Sequence, residues 1–238
     1  MQTAYDSGCP CRRLSDGKWT VDTVCLAEEC KLSVFVNGEA ISTLFCSPVE
    51  VGELVFGHLL TQGVISAREQ VQSLTLDESG LPDAMTASVT LSVIARSAAT
   101  WQSVPSDDPP KAVWTLEHLQ ALFDHVVRDA PSTRSGHSTH SCTLMLDGNI
   151  LCTREDIGRH NAIDRAAGWA LLHGVTISRC TVFFSGRVST EAVRKAAAAG
   201  ITVLCAKALP TAQAVRLAQR SGLTLLHISK NRGILQFC

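Results

Sequence analysis

Hydrophobic and polar positions along this chain change period several times, and each change marks an element. KLSVFV and AISTLF alternate over short runs and read as strands, with Asn37-Gly38 as a tight hairpin turn between them. Ser47, Pro48 and Glu50 spell a capping box. Val51, Leu54, Val55, His58 and Leu59 then recur at helical spacing up to Gly63, and His58 on that face reads as a packed core histidine. Residues 69–76 and 86–95 alternate again, with Ser79-Gly80 and Pro82 between them. Residues 97–113 carry three prolines and an acidic pair, which predicts a linker or a mobile loop. A helix is expected over 115–129, capped by Thr115, with Leu116, Leu119, Leu122, Phe123 and Val126 on one face. Residues 1–27 show no period and read as irregular, and 131–141, PSTRSGHSTHS, as a polar loop.

From residue 142 the pattern is regular. CTLML and ILCT form a hairpin about Asp147-Gly148, and a sharp turn at Gly158 leads into a helix. Ile163, Ala166, Ala167, Ala170 and Leu171 carry that helix's face, and Gly174 suits its stop. TVFFS, ITVLCA and LTLLHIS read as strands, separated by helices capped by Ser189 and opened at TAQAVRLAQRS, with Gly200 ending the first of these; ILQF is a last short strand. Strands alternating with helices argue a layered α/β domain with a largely parallel portion. The expected fold is thus α/β (α+β overall): a small N-terminal α+β domain with linker over 28–113, then a layered domain over 114–238.

Composition narrows the class. At 238 residues with 45% hydrophobic and 18% charged residues, the chain suits a soluble globular protein. No apolar run approaches bilayer length, and the start, MQTAYDSGCPCRR, has no apolar signal core, so a cytoplasmic location is expected and no membrane partner. Of ten cysteines, Cys46, Cys142, Cys152, Cys180 and Cys205 sit singly in apolar runs, as buried thiols do. Cys9 and Cys11 are half a metal site at best, and no metal is expected. Net charge is −1, yet residues 1–130 hold 8 Lys/Arg against 17 Asp/Glu, a balance of −9, and residues 131–238 hold 13 against 5, a balance of +8. That asymmetry marks either an anion site on the basic half or two halves that neutralise each other across an interface. With no basic run and a single tyrosine, a phosphate-bearing small ligand suits it better than nucleic acid.

The densest chemistry lies in REDIGRHNAIDR, 154–165, at the predicted strand-to-helix turn, where free helix N–H groups favour anions; a well-paired surface turn is the alternative. Three strand-end segments would converge on one sheet edge: His137 to His140, Arg154 to Asn161, and Ser185 to Ser189. Ligands of open α/β sheets bind at strand carboxyl ends. Arg154, Arg159 and Arg187 can fork onto phosphate oxygens, His140 and the others frame them, and His160 and Asn161 can read a base or ribose edge. Lys230 and Arg232 follow another strand in ISKNRG, 228–233.

REDIGRHNAID, with THSCTL before it and SGRVSTEAVRKAAAAGITVL after it, resembles the FdhD/NarQ family of formate dehydrogenase accessory proteins. The likeness extends through LFCSPVEVGELVFGHLLTQGVI and ALPTAQAVRLAQRSGLTLLHI, over most of residues 28–238. It implies a cytidine-deaminase-like α/β/α domain in the C-terminal half. It implies a sulfur carrier that sulfurates the molybdenum cofactor, Mo-bis-molybdopterin guanine dinucleotide, with sulfur from a cysteine desulfurase. The partners implied are that desulfurase and a formate dehydrogenase catalytic subunit, with a homodimer possible. The family's cofactor-binding segment typically reads aromatic-x-Arg-Gly-x-Arg; here Ile228, Ser229, Lys230, Asn231, Arg232 and Gly233 take its place, with Ile228 for the aromatic and Lys230 for the first arginine. The family's Cys-Gly-x-Cys-Gly loop has no counterpart, because no cysteine lies between Cys46 and Cys142. Another thiol, with Cys142 the best placed in sequence although strand packing explains it better, carries the sulfur; or the chain binds and delivers the cofactor without sulfurating it; or it is a divergent copy acting on another substrate. A zinc deaminase, suggested by the implied fold, is strongly disfavoured, since His-x-Glu and Pro-Cys-x-x-Cys are missing from the C-terminal half.

Overall fold

The computed structural model describes residues 8–92, 111–128, 139–230 and 233–238. The first element corrects an expectation. Residues 9–24, read as irregular, form an antiparallel hairpin of β1 (Cys9–Ser15) and β2 (Lys18–Val24). Asp16 and Gly17 both adopt positive φ, 53° and 73°, the geometry of a tight hairpin turn. Leu14 pairs with Trp19 and Arg12 with Val21, and the Arg12 guanidinium lies over the Trp19 ring at 5.3 Å.

A four-stranded sheet follows, with order β4-β3-β6-β5, built from β3 (Cys30–Val36), β4 (Glu39–Cys46), β5 (Val71–Asp77) and β6 (Ala84–Leu91). β3 runs parallel to β6, and the other pairs are antiparallel. The expected Asn37-Gly38 turn is present, with both residues at positive φ. The inner face of Leu32, Val34, Met85, Ala87 and Val89 packs on Val51, Leu54, Val55 and Leu59 of α1 (Val51–Thr61). The capping box does not form. Helix α1 begins at Val51 after a left-handed Glu50 with no side-chain cap, because the Ser47 hydroxyl accepts instead from the distant Ile157 N–H at 3.3 Å.

Of the predicted linker, 93–110 lie outside the described residues. Helix α2 (Leu116–Arg128) starts where Thr115 Oγ1 accepts from the His118 N–H at 3.1 Å. Leu119, Leu122, Phe123 and Val126 are buried, whereas Leu116, expected on the same face, is exposed. Of the loop expected over 131–141, residues 131–138 lie outside the described residues, and His140 and Ser141 already belong to a strand.

The second sheet has six strands in the order β12-β11-β10-β9-β7-β8: β7 (His140–Leu146), β8 (Asn149–Asp156), β9 (Thr181–Arg187), β10 (Val203–Ala208), β11 (Thr224–Ser229) and β12 (Gly233–Gln236). β9, β10 and β11 are mutually parallel, and β7, β8 and β12 join antiparallel. One face packs on α3 (Arg159–Leu172), α4 (Thr190–Ala198) and α5 (Ala212–Arg220) through an Ala-rich core that lets the helices sit close. The other face packs on α2 through Phe183, Cys205 and Leu226. The result is the three-layer α/β/α arrangement expected of this half.

Helices α1 and α3 weld the sheets together. A Cβ on Gly57 would stand 1.7 Å from the Asp164 carbonyl oxygen, and one on Gly168 1.9 Å from that of Glu53. This backbone-to-backbone approach is closed to any residue with a side chain. Buried polar groups surround the crossing. Asp164 accepts from Lys195 Nζ at 2.6 and 2.9 Å and from Thr61 Oγ1 at 2.7 Å, and lies 3.3 Å from His58 Nδ1. His58 Nε2 in turn meets Ser42 Oγ at 2.9 Å, so this core histidine is fully engaged.

Candidate functional site

Sheet order decides what meets what. Because β7 and β12 run antiparallel to the parallel trio, the starts of β7 and β12 and the ends of β8, β9, β10 and β11 share one edge. His140 pairs with Asp156 across β7 and β8, and the Ser141 N–H donates to Ser185 Oγ of β9 at 2.8 Å. The three expected strand-end segments therefore converge, apart from His137, which lies outside the described residues.

On the α2 side of this edge opens a cavity of about 840 Å3, within the size range of small-ligand sites. Phe123 and Val127 of α2 form an apolar wall, and Arg187, Lys207 and Lys230 supply cations from the ends of β9, β10 and β11. None of these three cations has an ion-pair partner among the described residues. His227 also lines the cavity. It is 4% exposed, and its Nδ1, itself closed to solvent, has no hydrogen-bond partner among the described residues, a costly state for a buried polar atom. The N-terminus of α5 arrives at the same rim through Pro210 and Thr211, adding the partial positive charge of a helix start.

A second cluster lies at the start of α3, on the other face of the sheet. Arg159 is exposed, and His160 Nε2 meets Ser189 Oγ at 3.1 Å. Partial burial, then the Arg159 charge, hold both His140 and His160 below the ordinary histidine range. Both rings are therefore neutral at pH 7 and able to donate from one nitrogen and accept at the other.

Other expected site residues serve the fold. Arg154 grips Glu53 of α1 at 2.5 and 3.0 Å, approaches Glu50 at 3.3 Å and covers the Trp169 ring at 5.7 Å. Asn161 is buried and donates to the Phe45 carbonyl at 2.7 Å and to Asp156 at 3.0 Å. Asp156 also receives the Gly158 N–H at 2.8 Å and Arg165 Nε at 2.8 Å, while Arg165, fully buried, caps the Ser47 and Val49 carbonyls. Half of REDIGRHNAIDR is thus an internal polar clamp between the two sheets, and the half at Arg159 and His160 faces the edge. Ile228 is buried and Ser229 lines the cavity; Asn231 and Arg232 lie outside the described residues; Gly233, at φ 66°, starts β12 at the same edge. Cys142 is 0% exposed within β7, and burial pushes its thiol far up. Lys207 and His227 were not among the expected site residues, although a lone polar residue late in an apolar strand is the signal both carry.

Among the described residues no group of three His, Cys, Asp or Glu side chains is placed to hold a metal, and no described helix is long and apolar enough to cross a membrane. Residues 27–237 match the FdhD/NarQ family. Sulfur carrier protein FdhD of Bacillus pumilus is 30% identical, over 88% of this chain and 86% of its own, and that of Bacillus licheniformis 31% identical, over 87% and 85%. That of Staphylococcus aureus MRSA252 is 29% identical, over 98% and 94%. The crystal structure of a protein of Desulfotalea psychrophila, described as a formate dehydrogenase accessory protein, has the same fold, with a TM-score of 0.78 at 24% identity over 97% and 95% of the two chains. A family match across nearly the whole chain, joined to relatives at this level and a shared fold, makes the protein a member of the FdhD/NarQ family.

Proposed function

We propose that this chain is a cytoplasmic maturation factor for a formate dehydrogenase, holding the guanine-dinucleotide form of the molybdenum cofactor in the cavity at the strand carboxyl edge. One observation carries the binding part of this reading: Arg187, Lys207 and Lys230, three cations with no ion-pair partner among the described residues, line a cavity of about 840 Å3. Arg187 would grip phosphate oxygens bidentately, and Lys207 and Lys230 as point charges. Phe123 and Val127 would shield one side from water. The guanine part comes from the family likeness and the phosphate part from the site's own charge. When bound, the cofactor supplies the metal centre that the catalytic subunit uses. The chain's residues hold it and present it, with a cysteine desulfurase as the sulfur source.

A second reading, delivery without sulfuration, is favoured by the absence of any cysteine between Cys46 and Cys142 and by the full burial of Cys142. Both readings share the cavity, so one experiment tests their common part. Calorimetry with GDP should show binding of micromolar order, about −8 kcal/mol, weakening as salt rises. No heat with GDP, or equal heats with ADP and CDP, overturns the assignment of the cavity.

A further inference from the structure

Relatives of this chain are named sulfur carriers, and carrying sulfur needs an accessible thiol, because the thiolate is the nucleophile. The ten cysteines divide sharply. Cys30, Cys46, Cys142, Cys152, Cys180 and Cys205 are buried. Burial pushes the Cys152 and Cys205 thiols up to about 12 and that of Cys180 to about 11, and drives Cys46 and Cys142 further. Cys238 is half-buried, as Cys9 and Cys11 are, but it donates its S–H to the Leu223 carbonyl at 3.2 Å, and its backbone carbonyl accepts from Leu225 at the start of β11. It therefore sits on the sheet edge opposite the cavity.

The remaining thiols gather at one place, the open end of the β1–β2 hairpin. Cys9 and Cys11 are two residues apart on one strand and so share a face, with Cα atoms about 7 Å apart at twice the strand rise. Cys9 pairs with Val24 and Cys11 with Asp22, so the exposed Cys25 follows directly. On the same face Arg13 bridges to Asp22 at 2.5 Å. The hairpin leads into β3 at Cys30, whose partner Cys46 precedes Ser47, and the Ser47 N–H reaches Asp156 at 3.3 Å. Asp156 ends β8 on the cavity's own edge. Chain from Val24 to Cys30 spans at most about 20 Å, so the open end of the hairpin is tethered within that distance of Cys30.

We propose that Cys9 and Cys11 are the sulfur-accepting thiols of this protein. A thiolate of the pair attacks the outer sulfur of a donor protein's cysteine persulfide. The donor S–S bond breaks, its cysteine leaves as a thiolate, and a new persulfide forms on the hairpin with no net oxidation or reduction. The inference rests on the accessory-factor reading for its sulfur chemistry, but its test needs no cofactor.

The full chain is incubated with a cysteine desulfurase and cysteine, alkylated and mapped by peptide mass spectrometry. One added sulfur is expected on the peptide carrying Cys9 and Cys11. Total label should fall at least tenfold in Cys9→Ser/Cys11→Ser, and should persist in Cys25→Ser and in Cys238→Ser. Label surviving in the double variant, label on another cysteine, or no label at all overturns the assignment. The double variant should bind GDP as the parent does, which separates the two failures. GDP binding without label sinks the thiol assignment alone, and label without GDP binding sinks the cavity assignment alone.

Discussion

Arg154 and Arg187 are the same residue type near the ends of β8 and β9 on one sheet edge, yet their surroundings assign them opposite tasks. Arg154 is held by Glu53 and packed on Trp169, and Arg187 lines the cavity with no ion-pair partner among the described residues. Arg187→Ala should weaken GDP binding by about 1.5–3 kcal/mol, the range for a hydrogen bond to a charged group, with the melting temperature nearly unchanged. Arg154→Ala should leave Glu53 uncompensated at 13% exposure, costing about 1–3 kcal/mol of stability with GDP affinity retained. The opposite pair of outcomes in calorimetry and melting would reverse the assignment. The neighbouring histidines add a pH signature. Their folded pKa values lie below the unfolded value of about 6.5. The unfolded chain therefore takes up their protons first as pH falls. Their contribution to stability is whole above about pH 6.5 and is lost as pH drops below it. Denaturant unfolding at pH 7.5 and pH 5 should show this loss, and His140→Gln/His160→Gln should reduce it; an unchanged slope in the variant would remove these two groups from the account.

At the scale of elements, the crossing of α1 and α3 gives the sharpest test. Gly→Ala in a helix ordinarily stabilises by about 1 kcal/mol. At Gly57 the new methyl would meet the backbone of Asp164, which cannot rotate aside. Gly57→Ala should therefore destabilise by about 3 kcal/mol or more, read from chemical denaturation; a neutral or stabilising result would mean the helices are not in contact. The period of apolar residues made both helices legible in the sequence, and local turn chemistry made Asn37-Gly38, Gly63 and Gly174 legible. Ser47 was misread because its capping pattern is local, whereas its actual partner, the Ile157 N–H, lies 110 residues away. The β1–β2 hairpin was missed for the converse reason. Its faces are both largely exposed, so no apolar alternation announces it, and Asp16-Gly17 was its one local sign.

Across the whole molecule, the site was legible only where it is continuous with strand ends. Arg187 and Lys230 follow apolar runs directly and were readable as edge residues. Lys207 and His227 lie inside such runs, and that they face the same cavity depends on β9, β10 and β11 being neighbours, which no local pattern states. The opposite charges of the two halves likewise find part of their explanation in the contact between the sheets, where Arg154 meets Glu53 and Glu50. That contact bears on the division at residue 113/114 proposed from the sequence. A fragment of 114–238 would keep its own sheet but expose the face of α3 that α1 covers. Asp164 would lose Thr61 and His58, and Arg165 would lose the Ser47 and Val49 carbonyls. Each keeps its ion-pair partner, Lys195 or Asp156, but each lost hydrogen bond to a charged group costs about 1.5–3 kcal/mol, together comparable to the whole stability of a domain. The full chain should accordingly unfold in one transition, with tryptophan fluorescence, reporting on Trp169 near the interface, coincident with far-UV circular dichroism. The isolated 114–238 fragment should lack cooperative melting. Two separated transitions, or a fragment that melts cooperatively at the parent's temperature, would show that the halves are independent domains and that the α1–α3 crossing contributes little to either.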